Sequence, residues 1–105
     1  MKIVESPVKK FPGSVTFRDP LPYTVILLYE RAARSLDIAT GDIGETFLPV
    51  LFAAISEWNL EGIPENPTTE NFPGSPRGAI NRLLAWLLKE LTALYKGNED
   101  TDPNG

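Results

Sequence analysis

The fold depends most on the stretch SPRGAINRLLAWLLKELTALYKG, residues 75–97. Apolar residues recur at three- and four-residue spacing from Ile80 to Tyr95, which is typical of a helix with one buried face. A serine and a proline precede this stretch and a glycine follows it, as at many helix boundaries. Because the apolar sector is wide, we expect this helix to lie at the centre of the domain. Its outward stripe is predicted to hold Arg82, Ala85, Lys89, Thr92 and Lys96.

The segment before this helix, residues 61–76, contains four prolines. Loops of this length are uncommon in small domains unless they wrap the core or have a function. Ile63 and Phe72 are its apolar anchors. We therefore expect an ordered loop that is held against the core, and not a flexible linker.

Two further helices are predicted upstream. The first begins at Asp19-Pro20, which suits an N-cap followed by proline, and runs to Leu36. A glycine-containing loop over residues 37–45 separates it from the second helix, residues 46–60, with Pro49 in the first turn. The inner face of the second helix is expected to hold Phe47, Leu51, Ala54, Ile55 and Trp58, whereas Phe52 would lie near solvent unless another segment covers it.

Residues 1–18 are expected to be extended. Pro12-Gly13 suits a type II turn, which is not the favoured turn of hairpins, so a hairpin and an arm with one or two short strands both remain open. Residues 98–105 are acidic and are predicted to be disordered. The fold class predicted is therefore mostly α, with one compact three-helix domain over residues 1–97. Its core is expected to join Leu28, Ala32, Leu51, Ile55, Leu84, Leu87 and Leu91.

Composition excludes several kinds of chemistry. The 105 residues include no cysteine and no histidine, so disulfides, thiol or histidine-based catalysis and the common zinc sites are excluded. The net charge of −4 argues against nucleic-acid binding. No apolar run reaches about 18 residues and no secretory signal opens the chain, so we expect no membrane contact and an intracellular protein.

The remaining candidates for chemistry are carboxylates. Glu57 and Glu61 would share a face if the second helix extended that far, and paired carboxylates act as acid and base or bind a cation. The run from Asp37 to Asp42 lacks the spacing of a calcium loop. Solvated acidic side chains are the favoured interpretation of both. The sequence therefore predicts no enzyme, no metal and no cofactor.

Charge is segregated along the chain. Residues 37–76 contain seven acidic residues and no basic one, whereas residues 1–36 and 77–96 are each net positive. The acidic block either lies over the basic flanks or forms a surface that attracts a basic partner. In the second case, acidic residues would surround apolar anchors, as at many interfaces. The predicted partner-binding residues are Trp58, Glu61, Ile63, Glu65, Glu70 and Phe72.

Three motifs in the chain form a pattern. EWNLEGIP at residues 57–64 is followed by PTTENFP at 67–73 and by LLAWL at 83–87, after FPGSVTF at 11–17. In this order they resemble small proteins of tailed phages and prophages of the tail assembly chaperone type. The resemblance covers roughly residues 11–96, and the motifs are structural, with no catalytic residue among them.

The resemblance implies a helical, non-enzymatic protein in the cytoplasm of the bacterial host. Proteins of this type bind the tape-measure protein and recruit tail-tube subunits during assembly, and they are absent from the finished particle. Two alternatives remain. The protein is either a permanent minor component of the head-tail connector or tail, or a general protein-binding adaptor. Homo-oligomers are compatible with each of them.

Overall fold

The computed structural model describes residues 1–35 and 43–99. This part of the chain forms a three-stranded antiparallel sheet and three helices. It is therefore an α+β fold, and the prediction of a mostly α, three-helix domain is wrong. The elements in chain order are β1 (Lys2–Glu5), β2 (Gly13–Phe17), α1 (Tyr23–Ser35), α2 (Ile43–Ala54), β3 (Ile55–Leu60) and α3 (Arg77–Glu99).

The sheet has the strand order β1-β2-β3, so β2 lies in the middle. Val4, Val15 and Trp58 lie directly opposite one another across the three strands and pack into the core with the helices. Side chains alternate between the two faces of a strand. The neighbouring row therefore points away from the core, and there Ile3 is 68% exposed and Glu57 is exposed.

The largest correction concerns residues 55–60, which were predicted to be the end of the second helix. The helix ends at Ala54, and the chain passes directly into β3. Phe17 lies opposite Ile55, but the residue before it in β2 lies opposite Glu57. The register of the two strands therefore shifts by one residue at this point, which is a β-bulge. This bulge places Ile55 and Trp58 on the same buried face at a spacing of three residues. Because three residues is also close to one helical turn, the strand has the apolar pattern of a helix.

Helix α2 also begins earlier than predicted, so Pro49 lies in its interior and not in its first turn. Proline has no N–H group, and the carbonyl four residues before it loses its helical donor. Pro49 is exposed. Water can therefore hydrogen-bond to the carbonyl on this side of the helix.

The N-terminal segment is part of the core and not an arm. β1 pairs with β2, and the connection between them is closed by the Ser6 N–H, which donates to the Gly13 carbonyl at 2.9 Å. Val8 and Phe11, in this connection, are both buried. Pro12-Gly13 is therefore not a hairpin turn, because Gly13 is already the first residue of β2.

The helix ends differ from the prediction by a few residues. α1 starts at Tyr23, after Pro22, whose carbonyl accepts the first helical hydrogen bond from Ile26 at 3.1 Å. Pro76 has the same role for α3, and α3 continues through Gly97 to Glu99. Residues 36–42 and 100–105, which include most of the predicted loop and tail, lie outside the described residues.

Helix α3 does not have the central position that the sequence predicted, because α2 is the helix that lies close to α1, α3 and β3. Leu83, Leu87 and Leu91 are each fully buried and belong to a single hydrophobic core with both the sheet and the other helices. Leu84 and Leu28, which were also predicted to lie in the core, are only half-buried at its edge. The buried face of α3 thus includes the predicted Leu87 and Leu91, and it leaves Leu84 on a surface.

Candidate functional site

The predicted partner-binding residues fall into three groups by their exposure to solvent. Trp58 and Ile63 are 5% and 7% exposed and belong to the core. Phe72 is half-buried. The three glutamates, Glu61, Glu65 and Glu70, are exposed. In this conformation Trp58 and Ile63 stabilise the chain's own fold and do not reach a partner.

Three aromatic rings hold the loop of residues 61–76 against the core. Phe52, Trp58 and Phe72 contact one another with ring centroids 6.1–6.2 Å apart and interplanar angles of 57–74°. Tilted and edge-to-face contacts of this kind are favourable. The loop thereby covers Phe52, the aromatic residue that the sequence left near solvent. Phe72 is one of the two anchors predicted for this loop.

Hydrogen bonds give the same loop a defined shape. Thr68 and Asn71 form a reciprocal pair, in which each backbone N–H donates to the other side chain, at 2.6 and 3.2 Å. The Phe72 N–H donates to the Thr68 carbonyl at 2.9 Å. At the start of the loop, the Glu61 N–H donates to the Pro12 carbonyl at 2.9 Å. An ordered loop is therefore available as one wall of a binding site.

A groove of about 1170 Å³ runs along α3. One side of α3 provides most of its lining, and the rest comes from the start of α2 and from the loop. The lining includes a row of apolar side chains: Leu48, Phe72, Ile80, Leu84 and Leu88. Leu48 and Ile80 are buried at its floor, whereas Phe72, Leu84 and Leu88 are half-buried, so the groove presents a mainly hydrophobic surface.

The charged residues in the described lining of the groove all carry positive charge. Arg77 lies near one end, Lys89 further along α3, and Lys96 near the other end. All three are exposed, and none of them makes an ion pair with a side chain that the structure describes. The ion pair of this part of the chain joins Lys2 and Glu90 at 3.8 Å. The groove is therefore apolar along its length and positively charged at its margin.

Two tyrosines fix α1 against α3 beside the groove. Tyr29 stacks on Tyr95 with ring centroids 4.2 Å apart, and its hydroxyl is 3.1 Å from the Thr92 hydroxyl. The Tyr95 hydroxyl donates to the Glu30 carboxylate at 2.7 Å. Because Thr92 lines the groove, these contacts hold one end of it in place.

The stripe of α3 that the sequence predicts to face solvent forms part of the groove. Ala85, Lys89, Thr92 and Lys96, from the stripe of α3 that was predicted to face solvent, all line it. Small side chains between lysines on one face of a helix leave a surface that a partner can approach closely. What the sequence could not predict was the position of α2 and the loop on either side of that face.

Glu57 and Glu61 do not form the paired arrangement that a longer second helix would give them. Glu57 is on the outward face of β3 and Glu61 follows that strand, so the two do not share a helix. Residues 37–42 lie outside the described residues. In the part of the chain that the structure describes, no three acidic side chains form a group that could bind a metal ion.

Comparison with protein-family models, with curated proteins and with solved structures finds no match. None of the helices described here is both long and apolar enough to cross a bilayer.

Proposed function

We propose that this chain is a protein-binding adaptor of the assembly-chaperone type, which holds a segment of another protein in the groove along α3 and catalyses no reaction. The observation that supports this most is the groove itself: an apolar surface along one side of α3, bordered by cations that pair with no described side chain.

The length and open shape of the groove favour a polypeptide over a small molecule. Its volume of about 1170 Å³ lies near the upper end of the range for small-molecule sites, about 300–1000 Å³, so the volume does not decide between the two. The lining on α3 extends from Arg77 to Lys96, which corresponds to roughly 28 Å of helix axis. A long and shallow apolar surface of this kind is typical of sites that bind a segment of another protein.

The narrower proposal is a role in phage tail assembly, in the cytoplasm of the bacterial host. It rests on the resemblance of the motifs at residues 57–64, 67–73 and 83–87. The resemblance also implied a helical protein, and that expectation is wrong because of the three-stranded sheet. The groove suits a transient partner, such as the tape-measure protein, and it also suits a permanent contact inside a tail or connector.

Site-specific crosslinking tests the adaptor proposal. A photoreactive phenylalanine analogue is placed at Ala85, which lines the groove, in cells that produce the phage proteins. The matched control carries the same analogue at Arg82, an exposed position on α3 outside the lining. We expect one protein to be crosslinked at position 85 and not at 82. Equal crosslinking at both positions, or none at either, contradicts the adaptor proposal.

The identity of the crosslinked protein and the composition of purified particles separate the narrower alternatives. A chaperone role requires a tail structural protein in the crosslink and no copy of this chain in the particle. Finding the chain in purified particles instead supports a permanent structural component. A crosslink to a protein unrelated to phage assembly rules out both and leaves a general adaptor.

A further inference from the structure

We infer that the groove along α3 takes an acidic amphipathic α-helix from the partner protein. The inference rests on the proposed function, and it specifies the chemistry of the bound segment. Three observations lead to it: the elements that line the groove, the charge of its margin and the charge of the chain's other exposed faces.

The lining favours a helix over an extended strand. An extended segment bound at a sheet edge satisfies its backbone by hydrogen-bonding to that edge. The groove is lined by α2, the loop and α3, and no strand of the described sheet contributes to it. A segment that buries itself against apolar side chains there has to satisfy its own backbone N–H and carbonyl groups. An α-helix does so along its whole length.

The apolar positions in the groove match one face of such a helix. Leu84 and Leu88 are half-buried, one turn apart, and lie between Ile80 and Lys89 along the lining of α3. Ala85 is exposed next to them, and its small side chain permits close approach of a second helix axis. A helix with apolar residues at three- and four-residue spacing would insert its side chains between these positions.

The charges at the margin determine the polar flanks of the bound helix. Arg77, Lys89 and Lys96 make no ion pair within the described residues, and the described lining contains no acidic side chain. Glutamate or aspartate on either side of the apolar stripe would therefore face opposite charge. A basic helix would bring like charges together, which disfavours binding.

A second copy of this chain does not provide such a helix among its described residues. The exposed face of α1 combines Tyr23 and Leu27 with Arg31, so it has the same sign of charge as the groove. The exposed glutamates Glu61 and Glu65 lie in a loop and not in a helix. Since the described residues of a second copy offer no such helix, we assign the acidic helix to a different protein.

Binding of designed peptides to the full chain tests the inference. Three fluorescent 20-residue peptides share one leucine stripe at helical spacing and carry glutamate, glutamine or lysine on their flanks. A fourth repeats the glutamate peptide with two central prolines that prevent a helix. We expect fluorescence anisotropy to show the tightest binding for the glutamate peptide, about ten-fold tighter than for the lysine peptide. The proline peptide is expected not to bind.

Charge reversal on the protein provides the matched comparison. Lys89→Glu combined with Lys96→Glu is expected to abolish the preference for the glutamate peptide, whereas Arg82→Glu, on the same helix outside the groove, retains it. Equal affinity for the three helical peptides, or equal binding of the proline peptide, overturns the inference. If the helical peptides bind with equal affinity and still compete with the partner crosslinked at Ala85, the acidic-helix inference is wrong and the adaptor proposal stands. The absence of both peptide binding and a crosslink contradicts both proposals.

Discussion

The Phe72 ring packs against the Trp58 ring in an edge-to-face contact, with centroids 6.1 Å apart and an interplanar angle of 74°. Trp58 belongs to the buried face of the sheet, and Phe72 belongs to the loop and lines the groove. This contact therefore connects the core to the candidate binding surface.

Phe72→Ala should affect stability and binding together. Removing the half-buried ring loses apolar contacts with Phe52 and Trp58, which we expect to lower the free energy of unfolding by about 2 kcal/mol. The wall of the groove is lost with it, so a bound partner should dissociate faster. Urea denaturation and stopped-flow dissociation measure the two effects, and Phe72→Leu is the control that keeps most of the apolar volume. Unchanged stability would show that the loop does not depend on this anchor.

Gly13→Ala should be strongly destabilising. Gly13 has a φ of 128°, and a Cβ atom there would clash with the Asn59 carbonyl oxygen. The strands β2 and β3 would have to separate, which we expect to cost at least about 2 kcal/mol. Thermal unfolding measures the loss. Gly74→Ala is the matched control, because a Cβ atom at Gly74 meets nothing within 4 Å. Similar melting temperatures for the two variants would contradict the described pairing of β2 and β3.

Leu87→Ala should destabilise the protein far more than Leu27→Ala. Leu87 is fully buried in the core, whereas Leu27 is 40% exposed on the outer side of α1. Truncation of a buried leucine costs about 2–5 kcal/mol, and an exposed one costs much less. Chemical denaturation of both variants tests the assignment of the buried faces, which equal losses would refute.

Tyr29→Phe should have a smaller effect, localised to one end of the groove. The variant keeps the stacking on Tyr95 and removes the hydroxyl that is 3.1 Å from the Thr92 hydroxyl. We expect a loss of about 1 kcal/mol in unfolding free energy. Thr92→Val removes the other member of the pair, so the double variant should lose little more than either single one. Fully additive losses would show that the two hydroxyls do not interact.

The sequence predicted α1, α3 and the ordered loop because each has a local signal. The leucines of α3 recur at helical spacing, and Ile63 and Phe72 are apolar residues in an otherwise polar loop. The structure contains these elements because the burial of apolar side chains is what mainly stabilises a helix or an ordered loop against the core.

The sheet could not be predicted in the same way because it depends on contacts distant in sequence. β3 pairs with β2 across the whole of α1 and α2, and the bulge beside Phe17 gives Ile55 and Trp58 a helix-like spacing. β1 is only four residues long. The groove is likewise a tertiary feature, since Leu48 and Phe72 reach α3 from different elements.

By the inference above, the face of α3 between the loop and α2 binds an acidic helix. An NMR titration of the ¹⁵N-labelled full chain with the glutamate peptide tests it most directly. We expect amide shift changes at Ala85, Lys89 and Thr92 and none at Ile3 or Asn59 on the outer face of the sheet. Changes confined to the sheet or to the acidic part of the loop, with α3 unaffected, would contradict the claim.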